Sequence, residues 1–347
     1  MLNKQVKYSI LDLAIVSQGK SLSDTFKHTL SLAQLADIEG YTRYWLAEHH
    51  NSVAIGSSSP PILIGKLAEG TKRIRVGSGG IMLPNHSPLV IAEQFGTLGI
   101  LYPNRIDLGL GRAPGTDQAT ASAIRSDFHQ AAMSFPQEVQ KIEQYFSKDN
   151  ASEKVRATVA EGVDVPLYIL GSSTDSAHLS AKKGLPYAFA SHFATTHLMN
   201  ALEIYRAEFQ PSDVLDKPYT MAGVNIIVAD TDEEAERIST SLYGMIIGLL
   251  TGKRGFMQAP TEMTEELREL SKHPSVVQML RYSFFGSKET VKQGIKEFMD
   301  KTQVDELIAV TNIFDGQDRL KSYALFAEIM VELNAEILEQ KEITAIH

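Results

Sequence analysis

Short apolar runs alternate with amphipathic stretches along the whole chain, always in the order strand then helix. Tyr8–Leu13 reads as a strand and Asp24–Ile38 as a helix, followed by Tyr44–Ala47 with Pro61–Gly70 and Ile74–Gly79 with Leu89–Leu101. Ile106–Gly109 precedes a long connection and the helix Gln137–Phe146. Leu167–Leu170 pairs with Asp175–Lys183, and Tyr187–Ala190 with Leu198–Phe209. Gly223–Ala229 reads as a seventh strand. A polar, helical excursion from Glu233 to Phe298 separates it from an eighth, Glu306–Val310, which is closed by Arg319–Leu338.

Eight such units joined by short turns predict an α/β fold of the (β/α)8 TIM-barrel type, with insertions at its C-terminal face. The alternative is a doubly wound sheet with an appended helical domain. No Pro/Gly/Ser linker or abrupt charge shift divides the chain, so residues 1–347 are expected as one domain with a lid or insertion at about 245–285. The long connections are Arg112 to Pro136 and a stretch around Thr251 to His273. In a barrel both follow strands and wall the site.

Composition narrows the chemistry. At 347 residues and 43% hydrophobic content the chain can bury a large core. A formal net charge of -9 without a compensating Lys/Arg cluster excludes nucleic acid as an expected partner. Zero cysteines remove disulfides, thiolate metal sites and cysteine nucleophiles, whereas ten histidines leave other metal sites open. The start, Met1 to Lys7, has no apolar signal core and no window approaches the ~18 apolar residues of a membrane span, so a cytoplasmic protein is expected.

In a barrel the residues just after each strand form the site. Strand five runs into Gly171, Ser172, Ser173, Thr174, Asp175 and Ser176 ahead of a helix, which places hydroxyls and free N–H groups where an anion can bind. Ordinary N-capping is the plainer reading. Arg112, after the neighbouring strand, can fork onto a phosphate held there or pair with a nearby carboxylate. Gly77, Ser78, Gly79 and Gly80 at a strand end suggest either a flat ring lying on bare backbone or a bulge. Gly109–Gly115 has its third glycine one place late and Pro114 inside the turn, so it is no dinucleotide loop. Glu48, His49 and His50 lack a third metal ligand at useful spacing, and no metal site is expected. One of the two histidines can face the barrel mouth as an acid or base, with weaker claims for His192 and His86.

Trp45-Leu46-Ala47-Glu48-His49-His50, Val76–Pro84 and Arg105–Arg112 together resemble the bacterial luciferase-like flavin monooxygenase superfamily. Pro84–Phe95 and Gly109–Gly115 are similar to its group-1 luciferase-like oxidoreductase branch. The likeness covers nearly the whole chain and is densest at Leu11–Gly115, Leu170–His192 and Phe285–Val291.

The resemblance implies a barrel whose mouth holds reduced FMN for reaction with O2 on a small organic substrate. The FMN would be reduced by a separate NAD(P)H:flavin reductase. It implies that Ser78, Gly79 and Gly80 lie under the ring, in a segment that in relatives contains a non-prolyl cis peptide. Arg112, Ser172, Ser173 and Ser176 match phosphate-binding positions, His49 an acid/base histidine, and Ser191 with His192 a pocket wall. Gly111 replaces a reactive cysteine of luciferase, which implies more room over the ring and a different substrate, and Ser172 replaces an acidic residue. Light emission is therefore not expected, and Arg125 is not assigned to the phosphate. A deazaflavin used for hydride transfer on the same barrel, and a non-catalytic flavin-binding protein, are the alternatives. A homodimer through the helices around Ile62–Leu67 and Leu89–Leu98 is expected from the resemblance.

Overall fold

The computed structural model describes residues 4–346. Residues 1–3 and 347, which the single-domain and N-terminal expectations include, lie outside them. The strands are β1 (Lys7–Asp12), β2 (Arg43–Leu46), β3 (Arg75–Met82), β4 (Ile106–Gly111), β5 (Leu167–Gly171), β6 (Tyr187–Phe189), β7 (Thr220–Val228), β8 (Ser283–Gly286) and β9 (Glu306–Val310). Their pairing is parallel throughout. β1 to β7 are neighbours in sequence order, β7 then pairs with β9, and β9 with β1, so eight strands close a barrel.

The remaining strand, β8, corrects the expectation that Glu233–Phe298 is only a helical excursion. Asn225 of β7 is flanked by Val310 of β9 on one side and Ser283 of β8 on the other. β8 therefore takes over the edge of β7 above the point where the short β6 ends. Ser-Phe-Phe-Gly is four residues without alternation, which leaves no period-two signal to read.

Helices cover the outside: α1 (Leu22–Ile38), α2 (Pro60–Glu69), α3 (Pro88–Leu101), α6 (Phe135–Phe146), α7 (Thr174–Lys183), α8 (Leu198–Glu208), α12 (Lys288–Thr302) and α13 (Gly316–Ile346). α1 shows how local sequence sets these ends. Ser21 and Asp24 form a reciprocal capping box, and Thr25, Thr29, Leu32, Ala33 and Ala36 give it one buried face. The two long connections contain structure of their own, α4 (Gln118–Ile124) and α5 (Phe128–Met133) in the first, α9 (Asp232–Leu250), α10 (Glu265–Ser271) and α11 (Pro274–Met279) around the second. Among the described residues no helix is long and apolar enough to cross a membrane.

Inside the barrel, side chains stack in layers. Leu11, Trp45, Ala47, Tyr168, Ala188, Met221, Ile308 and Val310 form the apolar layer. Beneath it lies a buried ionic cluster. Arg43 donates from Nε to Glu306 (2.8 Å) and from Nη1 to Asp107 (2.8 Å). Tyr219 hydroxyl donates to Glu306 (2.6 Å), Ser9 hydroxyl also donates to Glu306, and Arg75 Nε donates to Asp107 (2.7 Å). Charges this deep are tolerable only because each is paired several times over. Replacing Arg43 by Met leaves Glu306 buried without a cation and Asp107 with Arg75 alone, and the expected loss of stability is about 3–5 kcal/mol, read from the urea unfolding midpoint. An unchanged midpoint would show that the cluster does not hold the floor together.

Candidate active site

Period two along each strand decides what reaches the mouth. Continuing the inward positions upward from the apolar layer gives His49 after β2, Gly79 in β3, Gly111 ending β4, Ser172 after β5, His192 after β6, Asn225 in β7 and Asn312 after β9.

The β3–β4 side is bare backbone. A Cβ on Gly79 would lie 2.8 Å from the Leu11 side chain and 3.0 Å from Trp45, so this glycine sits directly on the indole. A Cβ on Gly80 would come within 2.7 Å of the Gly109 carbonyl, and one on Gly109 within 2.3 Å of the Ser78 carbonyl. The two strands approach so closely that only glycine fits. The Gly79–Gly80 peptide is cis, and the β3–β4 register shifts between Ser78 and Ile81, so the bulge left open by the sequence is present. Ser78 is fully buried. Its hydroxyl donates to the Gly109 carbonyl (2.9 Å) and accepts from the Gly109 N–H (3.1 Å), bridging the gap and not facing the mouth. The space opened by Gly111 is not empty, because a Cβ there would meet Met82 Cε at 2.9 Å. The room expected over the ring is taken by a flexible methionine tip.

Histidine placement is set by Glu48. This buried carboxylate accepts from His50 Nε2 (2.8 Å), His86 Nε2 (2.9 Å), Asn85 Nδ2 (3.0 Å) and the Met82 N–H (2.9 Å). Burial alone would raise its pKa, but the hydrogen bonds from His50, His86 and Asn85 hold it down at about 2. An ionised carboxylate only accepts, so both histidines carry their proton on Nε2 and both point away from the mouth centre. His49 turns the other way, its backbone N–H held by the Ser57 carbonyl (3.0 Å) and its Nδ1–H donating to the Gly115 carbonyl (3.1 Å). That fixes the tautomer and leaves Nε2 as a base. Burial lowers the His49 pKa.

Across the mouth the His192 ring lies on Gly223, where a Cβ would be 2.5 Å from Nδ1, and that Nδ1 is buried without a partner. Burial, with His49 nearby, lowers its pKa to about 3. Ser191 is fully buried and donates to the Gly223 carbonyl (2.7 Å), which supports the wall from behind.

The serine turn begins α7. Ser173 occupies the N-cap position but makes no side-chain cap, so the first-turn N–H groups stay open. Ser176 is turned inward, donating to the Ser173 carbonyl (2.8 Å) and sharing a hydrogen bond with the Tyr187 hydroxyl (3.0 Å). Ser172 is exposed at the rim. Arg112 pairs with Asp175 in the first turn of α7 (3.2 Å), the carboxylate partner that the sequence had left open. Both groups are exposed, so the pair holds little energy and brings the guanidinium to the open helix end. Arg125 instead binds Asp127 (2.8 Å) and the His86 carbonyl (3.0 Å).

Three features escaped the sequence: Trp45 as the layer under Gly79, Met82 as the filler beside Gly111, and Asn225 with Asn312 on the far wall. An asparagine at an inward position of an apolar strand was the one available signal, once β7 is started at Thr220.

A parallel barrel that gathers glycine floor, paired histidines and an open helix end at its C-terminal mouth defines an enzyme scaffold of the (β/α)8 class. The chain belongs to the luciferase-like monooxygenase family, whose model matches residues 6–306. It is 46% identical over 327 residues to the protein YvbT of Bacillus subtilis, covering 94% of this chain and 97% of that one. It is 45% identical over 333 residues to a luciferase-like monooxygenase of Escherichia coli, covering 96% and 99%. Among solved structures it is similar to apo-MsnO8, with a TM-score of 0.86, 33% identity and coverage of 94% and 98%. Two more distant structures share the fold. One is the oxygenating constituent of 3,6-diketocamphane monooxygenase from Pseudomonas putida in complex with FMN, with TM-score 0.71, 16% identity and coverage of 94% and 97%. The other is an F420-dependent secondary alcohol dehydrogenase, with TM-score 0.69, 13% identity and coverage of 92% and 97%. Family membership supports a monooxygenase or oxidoreductase activity.

The His192 environment generates a pH prediction. An unfolded imidazole protonates below about pH 6.5, whereas the folded one resists to about pH 3, so the folded pKa is depressed. Its contribution is complete above pH 6.5 and is lost as pH falls from there toward 3. Between pH 6.5 and 5, before carboxylates titrate, the unfolding free energy should fall with a slope approaching about 1.4 kcal/mol per pH unit from this group. His192→Phe should remove that part of the slope in denaturant titrations. Equal slopes would mean that the ring is hydrated.

Proposed function

We propose that the barrel mouth binds FMN and that the protein is the oxygenating component of a two-component monooxygenase, receiving reduced FMN from a separate NAD(P)H:flavin reductase. The observation that carries this reading is the pairing of a side-chain-free floor, Gly79 over Trp45, with a guanidinium delivered to an uncapped helix end. A flat aromatic ring fits the first and a phosphate fits the second. FMN, when bound, supplies the redox chemistry and the reaction with O2.

The chain's own part is to bind, orient and exclude water. Arg112 leaves its weak contact with Asp175 to fork onto the phosphate, which also takes the first-turn N–H groups of α7 and the hydroxyls of Ser172 and Ser173. Ser176 acts by holding the turn through the Ser173 carbonyl. Gly79, Gly80 and Gly111 give the ring its floor, with Ser78 fixing that floor from below. Ser191 and His192 form the opposite wall. His49, neutral and with a free Nε2, accepts a proton in the mouth. A homodimer through α2 and α3 is part of the same reading, supported by Ile62 at 75% and Val90 at 45% exposure on those helices.

Because F420 and FMN both occur on this fold, the cofactor is tested directly. Trp45 is the only tryptophan and lies under the floor, so ring binding should strongly quench its emission. FMN should quench it saturably and F420 should compete only weakly. The reverse order would favour a deazaflavin enzyme of hydride transfer, and no quenching by either would remove the ring from Gly79. Arg112→Ala should weaken FMN binding by about 1.5–3 kcal/mol in the same titration, as for a charge-assisted phosphate contact. Unchanged affinity would take Arg112 out of the phosphate site.

A further inference from the structure

The wall opposite the glycine floor carries polar atoms that the cofactor reading does not use. Met221 lies inside the barrel, which makes Gly223 and Asn225 of the same strand inward. Ile308 and Val310 do the same for Asn312. Asn225 is only 4% exposed. Its Nδ2 donates to the His192 carbonyl (2.6 Å) and to Ser283 Oγ (3.0 Å), which fixes the orientation of the amide and leaves Oδ1 accepting no hydrogen bond among the described residues. Asn312, two residues beyond the register partner of Asn225, has neither end of its amide hydrogen-bonded, and its Oδ1 is buried. His192 Nδ1 is also buried without a partner.

Buried polar groups are ordinarily paired, so Asn312 Oδ1 and His192 Nδ1, at the tops of β9 and β6 on either side of Asn225, are short of a partner that the chain does not itself supply. The wall is also uncharged. His192 is neutral, Arg43, Asp107 and Glu306 are consumed in the floor, and Arg319 is paired with Asp12 (2.7 Å).

We infer that Asn225 and Asn312 recognise a carboxamide on the organic substrate, its N–H donating to Asn225 Oδ1 and its carbonyl accepting from Asn312 Nδ2. One fixed acceptor on β7 and one amide without internal partners just after the neighbouring β9 match a group that offers one donor and one acceptor. A carboxylate would bring a charge that meets no cation and lone pairs that oppose Asn225 Oδ1. An aldehyde or ester offers only an acceptor and leaves Oδ1 unpaired, which is the kind of mismatch that discriminates strongly. The inference rests on the proposed use of this mouth for flavin and substrate.

The test compares hexanamide with N,N-dimethylhexanamide and hexanoate. Binding is read from the absorption of FMN bound to the protein and, in parallel, from thermal shift of the protein alone. Hexanamide should bind about tenfold more tightly than either of the others. Asn312→Ala removes no hydrogen bond made in the free protein, so it should fold normally and weaken hexanamide and its dimethyl derivative alike by taking away the donor to their shared carbonyl, leaving the preference between the two in place. Equal affinity for hexanamide and its dimethyl derivative, or no binding of hexanamide in either format, overturns the inference. If FMN fails to bind while the preference persists on the protein alone, the flavin reading falls and this one stands.

Discussion

The close approach of β3 to β4 is the constraint on which the mouth depends. Gly77, Gly80 and Gly109 each lie where a Cβ would be 2.7 Å or less from a backbone atom of the other strand, so no side chain can separate them. With the strands this near, the ladder cannot stay in register past Ser78, and the Ser78 hydroxyl replaces the missing backbone bonds to Gly109. The bulge then delivers Gly79 to the inner face as bare backbone over Trp45, whose Nε1–H is anchored to Asp107 on β4 (3.1 Å). One steric fact thus produces the floor, its flatness and the aromatic layer below it.

Charge is sorted around that floor rather than placed on it. Arg43, Asp107 and Glu306 neutralise one another beneath the apolar layer, and Glu48 is enclosed by four donors behind the β2 and β3 ends. Each carboxylate is satisfied within the wall, so none projects a field into the chamber at full strength. What faces the chamber is neutral: glycine backbone, imidazoles with lowered pKa values and asparagine amides. An exchangeable cation stands outside at Arg112, where its exposed partner Asp175 costs little to give up. A chamber of this kind suits chemistry that must be kept from water, with the anionic end of a ligand left at the rim.

Much of this was legible in the chain because it follows from period and residue size. Seven strand and helix pairs come from alternation alone, with ends displaced by at most three residues except in the last helix, which runs past Leu338 to Ile346, and the glycine run announced a place where side chains are not tolerated. What was not legible depends on residues distant in sequence. Ser78, Ser176 and Ser191 look like ligands in a motif, yet their hydroxyls are spent on the carbonyls of Gly109, Ser173 and Gly223. Gly111 reads as empty space, and only the fold shows Met82 filling it. The pairing of Glu48 with both His50 and His86 needs the β3 turn to come back over β2, so adjacency in sequence could rule out a metal helix but could not tell which histidine faces inward. β8 is invisible for a simpler reason, since four residues carry too little pattern.

The upper wall shows why substrate choice is tied to the scaffold. The segment between α9 and β8 is fastened at two places. Met257 exchanges backbone hydrogen bonds with Val16 (3.1 Å) and Gln18 (2.8 Å) after β1, and Gln278 donates to Thr195 Oγ1 (2.7 Å) after β6 while its carbonyl accepts from the same hydroxyl (2.6 Å). Beneath, Ile238, Leu242 and Ile246 of α9 pack with Val276 of α11, Ile313 after β9 and Ile227, which continues the inner face of β7 upward. A wall held by backbone bonds at one end, a side-chain pair at the other and an apolar core between them resists swinging as a free lid. Asn225 lies directly under that core, with its amide fixed from both β6 and β8. The same insertion therefore orients the amide inferred to read what enters the mouth, and a change in the length of β8 or α11 should alter selectivity through Asn225 before it alters the glycine floor.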